Sequence, residues 1–86
     1  MNYTLAVFQT RFSTLSFANL LKRNNIPFAM INTPYGLQQT CGISIKILSD
    51  YFSLAQSLLR SSNAAQHFYG FFEYVYDGRR WNLQRK

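Results

Sequence analysis

Apolar runs alternate with amphipathic segments along the chain, and the two patterns predict four strands and two helices. Runs rich in β-branched and aromatic residues predict strands over residues 2–8, 27–31, 42–48 and 66–76. Apolar residues three and four positions apart predict one helix that ends at about residue 23 and another that ends at about residue 62. Ser13 or Thr14 is expected to cap the first helix, and Ser49 or Asp50 the second.

This element order predicts an α/β (α+β) protein. The sequence β-α-β-β-α-β is typical of a ferredoxin-like two-layer sandwich, in which two helices cover one face of a four-stranded sheet. The chain has 86 residues, which leaves no room for a second core. We therefore predict a single domain over residues 1–78, followed at residues 79–86 by a basic C-terminal tail or a short extra strand.

Residues 32–41 break every periodicity and predict a loop that ends at Cys41, the one cysteine of the chain. A loop of this length in a small domain often carries function. A reactive thiolate requires positive potential or backbone N–H groups nearby. Lys46 and the N–H groups around Gln39, Thr40 and Gly42 are the candidates for that support. The residue types alone leave two interpretations open, a functional thiol and an incidental one.

Several short motifs, spread over most of the chain, resemble one known family. From Phe8 to Lys46 their spacing needs no gap, and the motifs are Phe8, Leu20-Leu21-Lys22, Ile26, Thr33-Pro34, Thr40-Cys41-Gly42, Ile43-x-Ile45-Lys46 and, further on, Tyr69-Gly70-Phe71. They resemble the small selenium/sulfur (Se/S) carrier-like proteins, in which a Pro-containing loop runs into Ser-Cys-Gly. Tyr35 stands where that family usually has an arginine after the proline.

The resemblance implies a non-catalytic carrier or accessory protein that holds sulfur or selenium on Cys41 as a persulfide-like adduct. Thr40, Gly42, Lys46, Tyr35 and Gln39 would support that thiol. Protein partners would donate and accept the atom. The expected protein is not an enzyme and needs no cofactor or metal. One cysteine and no export signal predict a reducing, cytoplasmic location without a membrane span.

The composition leaves few residues for conventional catalysis. The chain has three carboxylates, one histidine and one cysteine, and no two carboxylates have the local spacing of an acid/base pair. One His and one Cys cannot form a metal site alone in a monomer. The four glycines lie too far apart for a phosphate-binding loop.

The last strand and the charge pattern indicate an alternative, a binding module for nucleic acid or an acidic protein. The net charge is +6, and residues 79–86 contribute four of the positive charges. Residues 67–74 partly match the aromatic strand of RNA-recognition domains. Strand alternation predicts that residues 68, 70, 72, 74 and 76 share one face, with 69, 71 and 75 on the other. The uncovered face is interpreted as a homodimer interface, a nucleic-acid surface or ordinary edge packing. The candidate residues for a nucleic-acid or partner surface are Tyr69, Phe71, Arg79, Arg80, Arg85 and Lys86.

Overall fold

The computed structural model describes residues 2–34 and 40–86, which form an antiparallel sheet and two helices. The strands are β1 (Tyr3–Phe8), β2 (Ala29–Asn32), β3 (Ile43–Leu48), β4 (Phe68–Tyr76) and β5 (Trp81–Arg85). The helices are α1 (Arg11–Arg23) and α2 (Phe52–Arg60), and a 3₁₀ turn (Ser49–Tyr51) leads into α2. In this described part of the chain, no helix is both long and apolar enough to cross a membrane.

The sheet has five strands in the order β2-β3-β1-β4-β5, and every neighbouring pair is antiparallel. The prediction of four strands was therefore wrong, because residues 81–85 pair with β4 from Phe72 to Tyr76. β1 lies in the middle of the sheet and pairs with β3 on one side and β4 on the other.

The helix boundaries differ from the sequence prediction at the N-terminal ends. Thr10 caps α1, since its side-chain oxygen accepts the N–H of Ser13 at 3.1 Å. Ser49 caps nothing, because its hydroxyl lies 2.9 Å from that of Thr4 and donates to Glu73 at 3.2 Å. At the other end of α1, Asn25 has a φ of 57°, the left-handed conformation that terminates the helix.

Both helices pack on one face of the sheet, and the other face carries a smaller cluster. The helix-side core contains Ala6 and Phe8 of β1, together with buried residues of α1 and α2. Leu5 and Val7, which point the other way along β1, are also fully buried. We call this second side the open face, because both helices pack on the opposite side of the sheet. Large side chains of the strands themselves lie over it. They are Ile31, Tyr69, Phe72, Tyr74 and Leu83.

A bulge in β4 changes which aromatic residues reach the open face. Val7 pairs with Gly70 but Phe8 pairs with Phe68, so Tyr69 is an extra residue between them. Phe68 consequently packs against the helix-side core and Tyr69 joins the open face. The predicted alternation was wrong at these two positions, since a period of two cannot continue through an inserted residue.

The turn between β4 and β5 is organised by the carboxylate of Asp77. Oδ1 accepts the backbone N–H groups of Arg79 and Arg80, both at 2.9 Å, and Oδ2 accepts the side-chain amide of Asn82 at 2.8 Å. The N–H of Arg80, then the amide of Asn82 and the N–H of Arg79, lower the pKa of Asp77 from 3.8 to about 2.

We expect the β4–β5 turn to keep its structure in acid until the pH approaches about 2. Because the pKa of Asp77 is lower in the folded turn than in the unfolded chain, its contribution is fully present above 3.8 and disappears as the pH falls through about 2. A carboxyl NMR titration should give that low midpoint, and the Arg79 and Arg80 amide shifts should follow it. In Asp77→Asn these amide shifts should not titrate. A midpoint near 3.8 would contradict the geometry of this turn.

Candidate functional site

Cys41 lies where the end of β1, the start of α1 and the start of β3 meet. Its backbone N–H donates to the carbonyl of Phe8 at 3.1 Å, which fixes the residue to the end of β1. The next residue, Gly42, has a φ of 85°, and its carbonyl accepts the N–H of Thr33 at 2.9 Å. Backbone bonds therefore hold Cys41 between strands that are remote in sequence.

Cys41 is half-buried, and within the described part of the chain its sulfur contacts two polar groups. Its thiol donates to the carbonyl oxygen of Ile43 at 3.1 Å, and Sγ lies 3.1 Å from the hydroxyl oxygen of Thr14. Thr14 is fully buried in α1, and its hydroxyl donates to the carbonyl of Thr10 at 3.0 Å. The Ile43 carbonyl can only accept a hydrogen bond, whereas the Thr14 hydroxyl can accept or donate one.

These two neighbours act differently on the two protonation states of Cys41. The Ile43 carbonyl accepts a bond from the thiol and has none to offer a thiolate. The hydroxyl of Thr14 can rotate from the Thr10 carbonyl to the sulfur and donate to a thiolate. Among the described residues, the site therefore offers an acceptor to the thiol and a donor, the Thr14 hydroxyl, to a thiolate.

Of the residues predicted to support Cys41, some lie next to it and others do not. Thr40 and Gly42 flank Cys41 in the sequence, and the hydroxyl oxygen of Thr40 accepts the N–H of Gly42 at 3.4 Å. Lys46 pairs with Leu5 on the open face, and its ammonium lies 4.5 Å from the ring centroid of Tyr3. The sulfur instead faces α1, so the structure does not place Lys46 as its electrostatic partner. Tyr35 and Gln39 lie outside the described residues.

Sequence reasoning missed Thr14 as a neighbour of the sulfur. It was interpreted as a helix cap, and no local spacing links it to Cys41, which lies 27 positions further along the chain. The alternation of β3 offered a partial signal: Cys41 and Ile43 share the parity of Ile45, which is buried under the helices. That parity places position 41 towards α1 and Lys46 on the opposite face.

The residues of the alternative binding surface divide between the two faces. Phe71 lies in the helix-side core and is 7% exposed, so its prediction as a surface residue was wrong. Tyr69 lies on the open face, where the guanidinium of Arg85 stands 5.1 Å from its ring centroid. Lys86 lies on the helix side, 3.1 Å from Glu73, while Arg79 and Arg80 are exposed in the β4–β5 turn.

Within residues 2–34 and 40–86, no three His, Cys, Asp or Glu side chains lie close enough together to hold a metal ion. The fold and the site thus define a small α+β protein with one half-buried, hydrogen-bonded thiol at the end of its sheet. The chain belongs to the family described as "Putative Se/S carrier protein-like", whose model matches residues 2–69. Comparison with curated proteins and with solved structures gave no match.

Proposed function

We propose that this protein is a sulfur or selenium carrier that uses Cys41 as the acceptor, and that it does not turn over a substrate by itself. The observation that carries the proposal is the half-buried sulfur beside the switchable hydroxyl of Thr14, in a chain of this family. A carrier requires a thiol that a partner can reach and that can be stabilised as an anion during transfer.

The transfer step is an exchange between two sulfur-bearing proteins. The Cys41 thiolate attacks the terminal sulfur of a donor persulfide, the new S–S bond forms, and the S–S bond of the donor breaks. The donor leaves as a thiolate, so the electrons balance without an added oxidant. A second protein thiol removes the atom by the reverse chemistry. The Cys41 thiol, whose hydrogen bond the Ile43 carbonyl accepts, first loses its proton to solvent, and the Thr14 hydroxyl then donates a hydrogen bond to the thiolate before attack.

This role fits a reduced compartment such as the cytoplasm, because Cys41 must stay a free thiol between transfers. It also fits a ferredoxin-like arrangement of the domain. The order β2-β3-β1-β4 with both helices on one face supports that arrangement, with β5 added beside β4.

The proposal is tested by loading the reduced protein from a low-molecular-weight persulfide and measuring its intact mass. We expect the wild type to gain one sulfur atom and to pass it to an acceptor thiol, and Cys41→Ser to gain none. Thr14→Val keeps the side-chain shape but removes the hydroxyl. It should slow loading about tenfold, since a hydrogen bond to a charged group contributes about 1.5–3 kcal/mol.

Thr33→Val is the matched control, because the Thr33 hydroxyl lies 2.7 Å from that of Ser44 and bonds no sulfur. It should load at the wild-type rate. Equal rates for Thr14→Val and Thr33→Val would remove Thr14 from the mechanism. A wild-type protein that gains no sulfur, or holds it without transfer to any thiol, would refute the carrier function.

A further inference from the structure

The open face carries an aromatic cluster centred on Trp81. The Tyr74 ring stacks on Trp81 with centroids 4.6 Å apart and 19° between the planes. The ring centroids of Tyr76 and Tyr3 lie 5.4 and 6.0 Å from that of the same indole. Trp81 is 41% exposed and Tyr76 is 52% exposed, so the cluster presents ring surface to solvent.

Cations lie at both sides of this cluster. Lys46 stands over Tyr3 at 4.5 Å, and the Arg85 guanidinium stands 4.9 Å from the Phe72 ring. Arg79 and Arg80 are exposed in the adjoining turn.

The carboxylates are directed elsewhere. Glu73 lies on the helix side and pairs with Lys86, and Asp50 belongs to the 3₁₀ turn before α2. Asp77 is the exception, because it lies in the same turn as Arg79 and Arg80, accepts their backbone N–H groups and offsets one of their two charges. The open face is therefore aromatic and positively charged.

We propose that the open face binds single-stranded nucleic acid, with bases stacking on Trp81 and Tyr76 and phosphates lying near Lys46, Arg85, Arg79 and Arg80. Exposed rings interleaved with cations match a polyanion whose unpaired bases have free π faces. In a duplex those faces are already stacked on neighbouring bases. An acidic peptide would satisfy the charges but not the rings. A second copy of the face would bring like charges together.

The carrier family does not imply this surface. The family model ends at residue 69, whereas Phe72, Tyr74, Tyr76, Trp81 and Arg85 lie beyond it. The Cys41 sulfur faces α1 on the other side of the sheet, so the two functions can be tested separately.

The test titrates the full chain with labelled single-stranded oligonucleotides of about ten nucleotides, oligo-dT and oligo-U, and follows fluorescence anisotropy. Trp81 is the one tryptophan, so quenching of intrinsic fluorescence reports a base stacked on it. If four phosphates are neutralised, affinity should fall about 50-fold between about 50 and about 200 mM salt. Cys41→Ser should bind as the wild type does.

Three variants separate base stacking from charge. Trp81→Ala should weaken binding about tenfold or more, and Tyr76→Ala should also weaken it. Lys46→Gln should reduce the slope of log affinity against log salt by about 0.7. The matched controls are Phe12→Ala and Lys22→Gln on α1, both exposed and away from the open face, and Phe12→Ala should leave affinity unchanged. Circular dichroism checks the fold of each variant.

Several results would overturn the proposal. They are no binding at about 50 mM salt, binding without Trp81 quenching, and equal losses in Lys46→Gln and Lys22→Gln, which would indicate non-specific attraction to the whole chain. Equal competition by polyglutamate would show that only charge is recognised. Concentration-dependent dimerisation that quenches Trp81 without oligonucleotide would assign the open face to a second copy.

Discussion

Phe8→Ala is expected to lower the free energy of unfolding by about 3–5 kcal/mol, the largest effect of any substitution considered. Phe8 is fully buried, and its ring lies 5.4 Å from that of Phe17 and 5.1 Å from that of Phe68. Alanine would leave a cavity between α1 and the sheet that these rings cannot fill. A domain of this size has a total stability of roughly 4–13 kcal/mol, so this loss would remove at least about a quarter of it.

Urea denaturation of the wild type and of Phe8→Ala measures this loss of stability, with Phe12→Ala as the control. Phe12 is 80% exposed on α1, so the same substitution should change stability by less than about 0.5 kcal/mol. Alanine keeps the backbone carbonyl that accepts the N–H of Cys41, so alkylation of Cys41 should become faster only because a larger fraction of the Phe8→Ala variant is unfolded. If the two variants were equally stable, Phe8 would not occupy the core described above.

Gly42→Val is expected to destabilise the protein by about 2–3 kcal/mol and to change the alkylation rate of Cys41. Gly42 has a φ of 85°, and a Cβ placed there would meet no atom within 4 Å. The penalty is therefore conformational, because a β-branched residue strongly disfavours positive φ. Relief of that strain would displace the N–H of Cys41 from Phe8 and the Gly42 carbonyl from Thr33.

Gly78→Val is the control that separates strain from the site. Gly78 also has a positive φ, 97°, with open space around it, but it lies in the β4–β5 turn. This variant should be destabilised to a similar extent and should keep the alkylation rate of wild-type Cys41 under native conditions. Labelling with iodoacetamide measures the alkylation rate of Cys41 in both variants, and urea denaturation measures their stability. An unchanged thiol rate in Gly42→Val would show that this backbone position does not hold Cys41.

The centres of the helices and of the first four strands could be predicted from the sequence because apolar periodicity determines them. Leu21 and Ile45 are buried as their spacing predicted. The fifth strand could not be decided from five residues, since its pairing depends on the turn that Asp77 stabilises. The bulge at Tyr69 could not be predicted either, because an inserted residue changes the sheet face of its neighbours without changing the composition of the strand.

The sequence predicted Cys41 as the candidate residue, but it did not predict which side chains surround the sulfur. The loop and the motif Thr40-Cys41-Gly42 indicated the thiol, but Thr14, whose hydroxyl contacts the sulfur, comes from a helix that is distant in sequence. Lys46 was expected to help because it is five positions away, yet strand alternation turns it to the other face. Contacts of this kind depend on tertiary packing and have no local sequence signal.

The central position of β1 has a consequence for how the chain must be made. Tyr3–Phe8 is synthesised before both of its partners, which are β3 at residues 43–48 and β4 at residues 68–76. Both ladders close long loops, which slows folding relative to a domain with local contacts. During synthesis this uncharged strand therefore stays unpaired until β3 and then β4 have been made, and its hydrophobic side chains remain accessible to chaperones or to other nascent chains until β4 emerges.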